Sequence, residues 1–200
     1  MADPGIDSID RHAPRQPPRR ILGWPVAAVC WASIALAATL AVGTTVLRDP
    51  RPLLLWNASA SSPVGLYAIG SPAKVHVGEL VVAWAPGRAR RLAAVRAYLP
   101  FQVPLVKAVA AAGGDRVCAR GRRILVNGRL VAVRRRNDPS GRPMPWWSGC
   151  VRLAPGDLFL LSGADPLAFD GRYFGATRAV DLVGTARLLL RKPSSDFADD

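Results

Sequence analysis

Three hydroxyls within four positions, Ser59, Ser61 and Ser62, stand immediately ahead of Pro63 and Gly65. A proline-stiffened turn can hold a serine oxygen in one direction, as a nucleophile requires. The same residues also make an ordinary linker, because Ser, Pro and Gly all favour turns. A nucleophilic serine needs a base. Of the 2 histidines, His12 and His76, only His76 falls in the part that reads as folded, in a short exposed-looking run at 73–78. A Ser-His-Asp arrangement is therefore thinly supported, and Ser with Lys is the better pair. Lys107 has no charged residue within five positions on either side. Apolar neighbours desolvate an amine and disfavour the ammonium, and a neutral amine near pH 7 can act as a general base. The alternative is a lone lysine whose stem lies along an edge strand while its head reaches water. Lys74 and Lys192, the other lysines, lie in polar, Pro-flanked surroundings. With no CxxC pair and no histidine cluster, no metal site is expected.

These residues must be carried by something. From 21 to 47 the chain has no charged residue, enough for a helix of about 40 Å at ~1.5 Å per residue, which spans a bilayer with some tilt. The run exceeds the ~7–15 residues of a secretory h-region, so an uncleaved anchor is expected. Residues 1–20, polar and Pro-rich, read as a disordered tail. Arg11, Arg15, Arg19 and Arg20 precede the span, whereas Arg48 and Arg51 follow it. That asymmetry puts the N-terminus in the cytoplasm and residues 48–192 outside the inner membrane, with 193–200 a second disordered tail. The chain carries 27 Lys and Arg against 14 Asp and Glu, a formal charge of +13. Such a charge admits nucleic acid or an anionic bilayer as partner. The basic residues are spread along the chain rather than massed, and the folded part that carries most of them is expected outside the cytoplasm, so no nucleic acid is expected and membrane lipid is.

The external part reads as all-β. Runs at 65–69 and 79–84 are short strands between Gly and Pro punctuation. Asn127-Gly128 between two β-rich runs predicts a hairpin, because a type I′ turn needs positive φ at both central residues. Residues 153–161 read as a turn followed by a buried strand, 180–190 as a closing strand, and 134–149 as a long loop rich in Arg, Pro, Gly and Trp. Cys118 and Cys150 fall in this region, and two cysteines in an oxidising compartment suggest a disulfide, two unpaired buried thiols being the alternative. Closing a loop of about 33 residues would be worth ~3–4 kcal/mol on the chain-entropy model.

Three ordered blocks carry a resemblance: Asn57-x-Ser59-x-Ser61-x-Pro63-x-Gly65-Leu66-Tyr67, then Pro104-Leu105-Val106-Lys107-x-Val109 with Gly114-Asp115-x-Val117, then Phe169-Asp170-Gly171-Arg172-Tyr173-Phe174-Gly175. Together they resemble the type I signal peptidase family (S26 serine peptidases). The spacing of Ser61 to Pro63, the Gly-Leu-Tyr ending and the loop at 141–150 are similar to its conjugative-transfer, TraF-type branch. The resemblance implies a signal-peptidase-like β catalytic domain on one transmembrane helix and a Ser/Lys dyad, with Ser61 the nucleophile and Lys107 the general base. It matches Ser59 to the hydroxyl that joins the Ser61 N–H in an oxyanion hole, and Asp170 and Arg172 to a supporting ion pair. It further implies an exported precursor as substrate, such as a conjugative pilin precursor, a conjugative-transfer apparatus as its setting, and no organic cofactor. A housekeeping signal peptidase of broad specificity would share the dyad. A non-catalytic assembly or nucleic-acid-binding protein of a transfer apparatus is the reading from another class. Two positions depart from the family: Ala168 replaces the hydroxyl residue two before the motif Asp, and Gly171 stands where many relatives have Ser. Without that hydroxyl, a backbone carbonyl or a water is expected to orient Lys107.

Overall fold

A computed structural model describes residues 24–47, 52–163 and 167–193; the expected tail at 1–20 and nearly all of that at 193–200 lie outside them. The chain falls into two units. The first contains α1 (Trp24–Leu47), and the helix's mean hydropathy of 2.1 over Val26–Thr44 meets the length and composition needed to cross a membrane. Val26, Trp31, Ile34, Leu36 and Leu40 are all exposed. Apolar all round and exposed, the helix is compatible with a single-pass anchor.

The second unit begins with β1 (Leu54–Asn57), β2 (Gly65–Ile69) and β3 (Leu80–Ala83), followed by α2 (Gly87–Val95). Then come β4 (Leu105–Ala111), β5 (Arg116–Arg120), β6 (Arg123–Val126), β7 (Arg129–Val133), β8 (Gly149–Arg152) and β9 (Phe159–Leu161). The short α3 (Gly171–Phe174), a 3₁₀ turn at Ala179–Asp181 and β10 (Leu182–Arg191) close the chain. A 6-stranded sheet has the order β1-β2-β10-β3-β4-β9, and a 4-stranded sheet the order β7-β6-β5-β8. The fold is thus mostly β with one N-terminal apolar helix, as the sequence indicates. The expected strands at 65–69, 79–84, 153–161 and 180–190 correspond to β2, β3, β9 and β10; β1, β4, β5, β8, α2 and α3 were not anticipated.

The hairpin between β6 and β7 turns on Asn127 and Gly128, with φ of 49° and 83°. Cys118 of β5 and Cys150 of β8 are register partners and are joined by a disulfide. The inner face of the small sheet (Val117, Ala119 and Ile124) packs with Ala111, Phe159 and Leu161 of the large one. A second cluster, Val81, Ala83, Val109 and Leu160, lies within the large sheet's own core. Between the sheets and the 134–149 loop sits Arg134, with 0% of its surface exposed. Its guanidinium donates to the carbonyls of Gly121 and Trp147 at 2.8 and 2.6 Å and lies 3.5 Å from the Trp146 ring centroid. Burial pushes its pKa down, and the carbonyls and indole face stand in for a counter-ion.

Candidate active site

The turn between β1 and β2 holds the hydroxyls, and Asn57 at the end of β1 shapes it. Its Nδ2 donates to the carbonyls of Ser59, Ser62 and Pro63 at 2.9, 3.2 and 3.1 Å, while its Oδ1 accepts from the Ser59 N–H at 3.1 Å. Tyr67 donates to the Pro63 carbonyl at 2.7 Å. Buried Ser62 donates to the Val106 carbonyl at 2.8 Å and so pins the turn to β4, one residue before Lys107. With Ser62 turned inward, Ser61 is left half-buried and facing the lysine. Asn57 belongs to the motif, but only the tertiary arrangement shows it as the clamp of the turn.

Lys107 lies near the middle of β4, flanked by β3 and β9, and is 3% exposed. It is not the snorkelling edge-strand lysine of the alternative reading. Its Nζ donates to Ser61 Oγ and, at 2.8 Å, to Ser162 Oγ. Ser59 Oγ is 2.9 Å from Ser61 Oγ and accepts a long, 3.4 Å contact from the Ser61 N–H. His76 lies in the turn before β3, where its N–H donates to Glu79, and it lines neither cavity beside Ser61. No cluster of metal-ligand type is present among the described residues.

Ser162 gives Lys107 a hydroxyl partner that the expectation of a carbonyl or a water did not include. The pairing of Ala108 with Leu161, carried one step further, sets Ser162 opposite Lys107. The hydroxyl missing at Ala168 is thus supplied from the end of β9. Asp170 Oδ2 accepts from the Ser162 N–H at 2.8 Å, and Arg172 donates to the Ser162 carbonyl at 2.8 Å. Arg172 also pairs with Asp170 through both carboxylate oxygens, each at 2.9 Å. Asp170 is 0% and Arg172 4% exposed. Burial pushes the Asp170 carboxyl up, against the Arg172 guanidinium and the two N–H donors. The structure thus brings Ser59, Ser61, Lys107, Asp170 and Arg172 together through Ser162, with Cys118 and Cys150 apart in the small sheet. Gly171 also has a local cause: a Cβ there would lie 2.7 Å from the Leu160 carbonyl and 2.9 Å from the Phe159 ring.

Ser61, Ser59 and Lys107 open into a cavity of about 630 Å³. Its apolar wall includes Leu99, Val103, Leu105 and Phe169. Across it, the 134–149 loop is fastened by Asp138, which accepts from Tyr98 and, at 2.7 Å, from Arg142. Burial pushes the Asp138 carboxyl up, but the Tyr98 hydroxyl and the Arg142 N–H and guanidinium outweigh it and hold the pKa at about 2.

The β domain thus places a serine against a buried lysine, beside an apolar cleft. Residues 26–190 match the family model described as signal peptidase, peptidase S26. The chain belongs to that family, on its TraF-type branch. It is 29% identical over 174 residues to the plasmid transfer protein TraF of Escherichia coli, covering 82% of this chain and 90% of that protein. It is 33% identical over 144 residues to a probable conjugal transfer protein TraF of Sinorhizobium fredii (strain NBRC 101917 / NGR234), covering 67% of this chain and 75% of the relative. A signal peptidase I structure from Enterococcus faecalis V583 aligns over 58% of this chain and 97% of its own, at 17% identity and a TM-score of 0.33, too distant a likeness to define the fold.

Proposed function

We propose that this protein is a membrane-anchored serine endopeptidase that processes exported precursors through a Ser61/Lys107 dyad. The observation that carries the reading is the contact of the buried Lys107 amine with Ser61 Oγ. Burial disfavours an ammonium relative to an amine. With the amine neutral, the contact runs from the Ser61 hydroxyl to Nζ. Lys107 takes that proton as Ser61 Oγ bonds to the scissile carbonyl carbon. The oxyanion is received by the Ser61 N–H, released from its long contact, and by the Ser59 hydroxyl. Collapse breaks the C–N bond, and the Lys107 ammonium returns the proton to the leaving amine. Water, deprotonated by Lys107, then attacks the ester and frees Ser61. A substrate amine in place of water would yield a cyclised product. Asp170 and Arg172 act at one remove, by fixing both backbone groups of Ser162.

The curated relatives are named as plasmid and conjugal transfer proteins, which favours a conjugative pilin precursor as substrate. Full-length protein in vesicles, given pilin and ordinary secretory precursors, tests this. Ser61→Ala and Lys107→Ala should each abolish cleavage of the pilin precursor. Near-normal turnover by Ser61→Ala would overturn the dyad. Equal processing of both classes would point to a broad signal peptidase instead.

A further inference from the structure

Ser61 lies on the wall between two cavities. The first, described above, holds Lys107, Ser59 and the apolar wall. The second, of about 670 Å³, opens on the other side of Ser61 and takes in Ser162, Leu161, Arg191 and Lys192. Its lining includes no Asp or Glu. Neither Arg191 nor Lys192 has an acidic partner among the described residues. Both are set by backbone pairing to the nucleophile turn: Arg191 is the register partner of Gly65, and the Lys192 N–H donates to the Val64 carbonyl at 2.9 Å. Two cations with no acidic partner among the described residues are thus paired with positions three and four residues after the nucleophile, beside a hydroxyl-lined hollow.

A peptide whose scissile bond lies on Ser61 must occupy both cavities. The apolar wall of the first suits apolar side chains, assigned here to the residues that precede the cut, so the second receives the residues that follow it. We infer that the second cavity is a leaving-side subsite that selects a carboxylate, an Asp or Glu within the first few residues after the cleaved bond, through Arg191 and Lys192. The inference rests on Ser61 as nucleophile and deepens that reading by naming the charge of the substrate on one side only. Cations at a cavity mouth contribute through complementarity and approach, so the preference belongs mainly in KM and weakens with salt. It also assigns work to Lys192, a lysine that sequence context sets aside as a base.

The test uses full-length protein in detergent and three precursor peptides identical before the cut, with Glu, Gln or Lys placed after it. The unaltered enzyme should cleave the Glu peptide with kcat/KM about tenfold above the Lys peptide, mostly through KM, at an ionic strength where the Debye length is ~10 Å or more. The gap should narrow severalfold at about 1 M salt, where that length is ~3 Å. In the double variant Arg191→Glu/Lys192→Glu the order should invert, while Glu placed before the cut should show no such dependence on these two residues. Binding of the leaving-side product peptides to Ser61→Ala protein, read by fluorescence anisotropy, measures the same preference without turnover. Cleavage with equal rates and equal product affinities across the charge series would overturn the subsite while leaving the peptidase. Charge-selective product binding with no cleavage by the unaltered enzyme would overturn the peptidase and the leaving-side subsite with it, and reduce the second cavity to an anion-binding hollow. If both readouts are flat, both readings fall. The peptide series on unaltered protein decides the matter even if the double variant does not fold.

Discussion

At the scale of single residues, the proposed chemistry depends on which of three neighbouring hydroxyls faces Lys107. Ser62 is committed elsewhere, to the Val106 carbonyl, and Ser59 lies beside Ser61 rather than against the amine. Ser62→Ala should therefore act on stability, by about 0.5–1.5 kcal/mol for one net hydrogen bond, and lower activity only as the turn loosens. Its signature is a reduced melting temperature. Ser162 is the residue that separates geometry from motif. Ser162→Ala should keep KM within about twofold, lower kcat by ~10²-fold or less, as for an aid to general-base catalysis, and displace the pH profile of kcat. Ser162→Thr, which keeps the hydroxyl, should recover much of the rate. A profile unmoved by Ser162→Ala would reduce the residue to packing. Lys107 was legible in the sequence because a charge-free run is a local signal, and Ser61 through the motif match that separates it from Ser59 and Ser62. Ser162 was not, since its tie to Lys107 exists only through the register of β4 on β9.

At the scale of elements, two polar assemblies hold the walls of the cleft. Asp170 and Arg172 form a buried pair at the start of α3 and end at Ser162. Breaking such a pair leaves an uncompensated buried charge, typically costing ~3–5 kcal/mol, so Asp170→Ala should unfold well below the unaltered protein in urea or on heating. Loss of less than about 1 kcal/mol would mean that the pair is dispensable. The second assembly titrates. The Asp138 pKa is held at about 2, below the unfolded carboxylate value of ~3.9. Its contribution is therefore complete above the unfolded value and is lost as pH falls through that range toward 2. Trp146 and Trp147 sit on the same loop, and their fluorescence should report a transition in that window which Asp138→Asn lacks. An identical acid transition in both proteins would remove Asp138 from the account. The hairpin at Asn127-Gly128 could be read ahead because one dipeptide fixes it. Helix α2 was hidden by its Gly and four nearby arginines, although Ala89 and Ala93 bury one face at helical spacing. Four-residue β1 was masked by the turn it leads into, being too short for alternation to register.

At the scale of the whole molecule, two independent features bear on which side of a membrane the β domain occupies. One is the excess of arginine before the span over that after it, four against two, which argues for a cytoplasmic N-terminus. The other is the Cys118–Cys150 disulfide, directly across β5 and β8. Disulfides persist in oxidising compartments and are rare where thioredoxin and glutathione keep thiols reduced. The first argument concerns insertion and the second concerns chemistry after insertion, yet both argue for a β unit outside the cytoplasm, where the proposed peptidase would meet an exported precursor. Cys30 lies within α1 and has no such partner. The expected topology predicts that alkaline phosphatase fused after residue 193 is active in cells, because that enzyme needs its own disulfides, and that a fusion ahead of the span is inactive. Thiol alkylation of intact cells should then leave Cys118 and Cys150 unlabelled until reductant is added. Reduction should cost the isolated domain about 3–4 kcal/mol on the chain-entropy model, measurable as a lowered urea midpoint. An inactive distal fusion together with freely labelled Cys118 and Cys150 would place the domain in the cytoplasm, and cleavage of exported precursors would fall with it.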